Sequence, residues 1–64
     1  MQKQLYNELD RIAGNAKRGY ITLAECNRLM IDAIENAFSI EYFDTKQKYY
    51  HRMYKMLFDL TKRN

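Results

Sequence analysis

Two apolar stripes at helical spacing run through the later part of this 64-residue chain, and they are half a turn out of phase. The first is carried by Cys26, Leu29, Met30, Ala33, Ile34, Ala37 and Phe38. Continued at 3.6 residues per turn, it would next meet Asp44, Gln47, Lys48, His51 and Lys55, all of them polar. The second stripe is Tyr50, Met53, Leu57 and Leu60, with Tyr49 and Met56 beside it, on the opposite side of such a helix. A single straight helix would leave one stripe or the other in water. The chain must therefore turn between residues 39 and 45, although that stretch holds neither Gly nor Pro. Asp44 and Gln47 are the expected N-cap and N3 pair of the helix that follows, with Phe43 sealing the corner.

The remaining helix ends are written in local chemistry. Leu5, Leu9, Ile12, Ala13 and Ala16 keep one face of a first helix apolar. Lys17 and Arg18 suit the negative end of its dipole, and Gly19 can take the left-handed cap position. Gly14, inside that helix, should weaken it by about 1 kcal/mol relative to Ala, and serves either close packing of a neighbour or nothing beyond a solvent-side position. Thr22 and Glu25 form a capping box for the second helix, with Ile21 and Cys26 placed as a hydrophobic staple. Only two glycines and no proline occur in the whole chain, so helices at about 3–18, 23–40 and 45–62 are expected to dominate. Short connections force antiparallel neighbours, which makes the expected fold a single all-α domain, residues 1–64, built as an up-down-up three-helix bundle.

A chain this short buries only about 60% of the surface it exposes when unfolded, so its core is marginal and open to completion by homodimerisation. Disulfides and metals offer no alternative, because Cys26 is the only cysteine and His51 the only histidine. One reduced thiol fits a cytoplasmic protein. No apolar run approaches the roughly 20 residues that cross a bilayer, and none after Met1 resembles a signal peptide. The chain thus reads as a free-standing accessory protein, and its Lys, Asn, Ile and Tyr content hints at an AT-rich source such as a phage or mobile element.

Charge is sorted by segment. Residues 44–64 carry Lys46, Lys48, Arg52, Lys55, Lys62 and Arg63 against Asp44 and Asp59, a net of +4. Residues 23–43 carry Glu25, Asp32, Glu35 and Glu41 against Arg28, a net of −3. Neighbouring helices of opposite sign can neutralise each other within one molecule, and a solvated face is the plain reading of the basic helix. The acidic second helix would be repelled from a DNA groove, which argues against a helix-turn-helix role. In an up-down-up bundle Lys17, Arg18, Lys62 and Arg63 gather at one pole, where ordinary capping of two helix dipoles accounts for them.

Seven of the nine aromatic residues lie between Phe38 and Phe58, more than one amphipathic face can bury. Tyr, Met and Arg are enriched at interfaces and their hot spots. Tyr42, Phe43, Tyr49, Arg52, Tyr54, Lys55 and Phe58 are therefore the candidate partner-binding residues, with Tyr42, Tyr49 and Tyr54 foremost because they lie off the central stripe. The expected function is a non-enzymatic regulator, adaptor or inhibitor that binds another protein, with self-association as a further expectation. The alternative is a nucleic-acid-binding protein using Lys48, Arg52, Lys55, Lys62 and Arg63 for phosphate contacts without sequence reading. Catalysis has little support: Cys26 lies on a core stripe, nothing pairs it with His51, and no cofactor or phosphate loop is present. A membrane-surface role for the third helix would strip the other two of their core.

Overall fold

The computed structural model describes the backbone of residues 2–38 and 43–62, and the side chains of 4–38 and 44–62. Three helices are present: α1 (Gln2–Lys17), α2 (Leu23–Ala37) and α3 (Phe43–Lys62). The longest extent is 37 Å, well short of the ~60 Å that an unbroken rod of about 40 residues would need. The chain doubles back as the phase break requires.

Direction follows from which residues meet. Leu5 and Glu8 of α1 share a groove with Ala33 and Phe38 at the end of α2. Glu35, late in α2, pairs with Lys46, early in α3. Tyr6 stacks on Tyr49, and further along the same two helices Lys17 lies in one groove with Met56 and Leu60. α1 and α3 thus run parallel with α2 antiparallel to both, an up-down-up bundle.

The α1–α2 corner forms as its residues dictate. Gly19 adopts φ of +84°, and the Tyr20 and Gly19 N–H groups donate to the Asn15 and Ala16 carbonyls at 2.9 and 3.1 Å. These are the two bonds of a Schellman stop. Two residues later Thr22 caps α2: its Oγ1 accepts from the Glu25 N–H at 3.1 Å, and the Glu25 carboxylate accepts from the Thr22 N–H at 3.0 Å. The Thr22 N–H and, second, the Thr22 hydroxyl both donate to the Glu25 carboxylate and hold it below the usual carboxylate range. Of the staple pair, Cys26 is part of the buried core and Ile21 is partly buried against it.

The second corner departs from expectation in detail. α2 ends at Ala37, three residues early, because Phe38 is extended (φ −130°, ψ 138°) and its ring packs 5.1 Å from that of Tyr49. α3 starts at Phe43, two residues early, so Asp44 lies within the first turn and is not the N-cap. Its charge still suits the positive end of the helix dipole there. Residues 39–42, where the turn was expected to begin, lie outside the described residues.

Leu5, Leu9, Ile12, Cys26, Met30, Ile34, Tyr49 and Met53 form the buried core. The α2 stripe is narrower than its sequence implies: Leu29 and Ala37 are exposed, while Ile31 packs against the core. Among the described residues no helix is long and apolar enough to cross a membrane.

Candidate functional site

α3 is divided by what its sides touch. Tyr49 and Met53 point into the core, and Tyr50, Met56, Leu57 and Leu60 pack around them. Tyr49 is only 2% exposed, which corrects its placement among the outward aromatics. The rings of Tyr6 and Phe38, at 4.8 and 5.1 Å, bracket it and draw it inward. Burial pushes its phenol pKa upward, with the adjacent Tyr6 hydroxyl adding to the shift, yet no hydrogen bond of normal geometry satisfies the Tyr49 hydroxyl among the described residues.

The flanks of α3 consume part of its positive charge. On the α2 side, the Lys46 ammonium donates to Glu35 Oε1 at 2.9 Å with its side chain only 13% exposed. The Tyr50 hydroxyl donates to the other oxygen of the same carboxylate. Glu35 is held below the ordinary carboxylate range by Tyr50 first and Lys46 second, while burial and the bond to Glu35 push Tyr50 up to about 12. On the α1 side, Arg52 lies 3.7 Å from Asp10 and 4.7 Å above the Tyr6 ring. Two of the five described cations of α3, Lys46 and Arg52, are therefore paired with carboxylates of the neighbouring helices.

The outer face is different. His51, Tyr54, Lys55, Phe58 and Asp59 line one shallow depression pointing away from the core. Tyr54 and Phe58, one turn apart, are 61% and 59% exposed. Lys48, Lys55 and Lys62 are exposed and make no ion pair with another described residue. Lys62 reaches back so that its Nζ lies 4.9 Å over the Phe58 ring. Of the expected partner-binding residues, the bundle brings Tyr54, Lys55 and Phe58 onto one surface and leaves Arg52 at its edge. Tyr42 and Arg63 lie outside the described residues, as does the side chain of Phe43.

Tyr6 was not anticipated at this edge. The signal was available: Tyr6, Asp10, Ala13 and Lys17 recur at helical spacing beside the α1 core stripe, and this flank meets α3. Cys26 is fully buried with its thiol pKa raised by that burial, whereas His51 lies on the outer face of α3. The fold does not bring the two together. No protein-family model matches this sequence, and comparison with curated proteins and with solved structures finds no match either.

Proposed function

We propose that this chain is a small non-enzymatic regulatory, adaptor or inhibitor protein that acts by binding another protein through the outer face of α3. The observation that carries this reading is the pair Tyr54 and Phe58, both more than half exposed, one turn apart and flanked by Lys55 and Lys62. Apolar residues scattered singly over a surface need no explanation. A Tyr and a Phe side by side with cations at their rim have the composition of an interface centre. Arg52, stacked on Tyr6, extends that surface toward α1.

Affinity capture from the native cell tests it, with nuclease treatment in parallel. The expected result is recovery of one protein regardless of nuclease, lost on Tyr54→Ala/Phe58→Ala substitution. Unchanged capture by that double variant would remove the reading. The second reading, phosphate binding, is favoured by the three lysines with no acidic partner among the described residues and opposed by Asp59 in their midst. It is distinguished by salt, since affinity for a phosphate backbone falls steeply as salt rises while an aromatic contact responds little.

A further inference from the structure

We infer that the partner segment seated on α3 is an acidic amphipathic helix, an inference that rests on the protein-docking reading above. Along the side of α3 opposite Tyr49 and Met53, the exposed residues Gln47, His51, Tyr54, Phe58 and Thr61 follow alternating steps of four and three. These residues make one outward stripe, a seam along which a second helix can lie, with Tyr54 and Phe58 as its apolar contacts. Lys48, Lys55 and Lys62 recur every seventh residue beside it, each immediately after a seam position, all exposed and all on one side. In a helical pair this is the flanking position whose charge selects the partner. Successive lysines stand about 10 Å apart along the axis, so a partner helix with Asp or Glu at a seven-residue repeat meets all three in one register.

The seam is aromatic only at its middle, where Tyr54 and Phe58 sit, and polar at both ends. A helix docking here buries one or two apolar side chains against the two rings and leaves a polar rim, the anatomy of a small, reversible interface. Asp59, on the lysine side beside Phe58, argues for a partner with discrete charges over a nucleic-acid strand, because it repels an unbroken row of phosphates yet pairs with a single cation on a helix. The other flank of the seam is Tyr50 and Leu57, half-buried against the bundle, so positive charge borders the rings on one side only. A partner that is acidic along one edge and apolar along the next matches that layout.

Four fluorescent probes test the inference on the full chain by anisotropy, with contacts mapped by amide chemical shifts. They are a Leu-seamed helical peptide flanked by Glu, the same peptide flanked by Lys, the Glu peptide with its Leu seam replaced by Ser, and a thymidine oligonucleotide. The Glu-flanked Leu peptide should bind about tenfold or more tightly than the other two peptides and shift residues 51, 54, 55, 58 and 62. Phe58→Ala should weaken it by a similar factor, and Lys55→Glu/Lys62→Glu should reverse the preference toward the Lys-flanked peptide. Circular dichroism of each variant checks that the bundle is retained. Equal or tighter binding of the Lys-flanked peptide overturns the acidic partner while leaving the docking surface standing. Binding of the oligonucleotide alone, with a steep salt response, overturns the docking reading itself. Failure of the Glu-flanked peptide to bind at millimolar concentration, or indifference to Phe58→Ala, also overturns the inference.

Discussion

Tyr49 and Tyr50 are neighbours with opposite circumstances, and each carries a prediction at the level of one hydroxyl. The Tyr49 ring fills the core while its hydroxyl is buried with only the Tyr6 hydroxyl near it and no hydrogen bond of normal geometry among the described residues. An unsatisfied buried hydroxyl opposes folding, so Tyr49→Phe should leave stability unchanged or raise it by about 1 kcal/mol, whereas Tyr49→Ala should cost about 3–5 kcal/mol in urea unfolding. Loss of stability in the Phe variant would mean that the hydroxyl is satisfied after all. The Tyr50 hydroxyl is spoken for by Glu35, and its folded pKa of about 12 lies above the ordinary phenol value of 10.0. Between those values the unfolded chain has lost a proton that the folded one keeps. Stability from this group is therefore full below pH 10 and declines as pH rises toward 12. Glu35 and Glu25 shift the other way, so their contribution is present above the ordinary carboxylate range and lost as pH falls through their depressed values. Urea midpoints across pH should show both limbs, with Tyr50→Phe flattening the alkaline one and Glu35→Gln the acidic one.

At the scale of helices, the ends that could be read from sequence are those made by neighbours in the chain. Gly19, Thr22 and Glu25 complete their bonds within a few residues of themselves, so the stop of α1 and the start of α2 were legible. The second corner was not, because Phe38 leaves the helix to meet Tyr49, a contact no local pattern announces. The inward face of α3 was ambiguous for a related reason. Tyr49, Met53, Met56 and Leu60 form one helical stripe, Tyr50, Met53, Leu57 and Leu60 another, and the two differ little in apolarity. Tyr6 and Phe38 decide between them by enclosing the Tyr49 ring, while Glu35 ties Tyr50 to the edge. The two glycines should respond in opposite directions to the same substitution. A methyl added at Gly14 would meet only the tip of Arg18, at 3.9 Å, so Gly14→Ala should stabilise by about 1 kcal/mol. At Gly19 there is open space but a positive φ, so Gly19→Ala should destabilise by about 1–2 kcal/mol through the backbone alone. Thermal unfolding of the two variants against the parent checks both signs.

For the molecule as a whole, the buried residues come from all three helices and the core closes within one chain, so any self-association would have to use a surface outside it. Charge is divided the same way: Lys46 and Arg52 tie α3 to its neighbours, and Lys48, Lys55 and Lys62 face outward. The buried side of α3 that holds the fold and the outer side proposed above for docking are therefore opposite faces of a single helix, and should separate under mutation. Met53 is fully buried at the centre of the inner side, and truncation to Ala should cost about 2–5 kcal/mol. A core this small supplies roughly 3–5 kcal/mol in total, so Met53→Ala should leave much of the population unfolded at room temperature. Tyr54→Ala/Phe58→Ala deletes a larger amount of side chain from the outer side, yet those rings are mostly in water already, and the unfolding midpoint should move by no more than about 0.5 kcal/mol equivalent. The two variants compared in one urea titration weigh inner against outer directly. A double variant that unfolds as readily as Met53→Ala would show that the outer rings belong to the fold, and the docking surface assigned to them would go with that result.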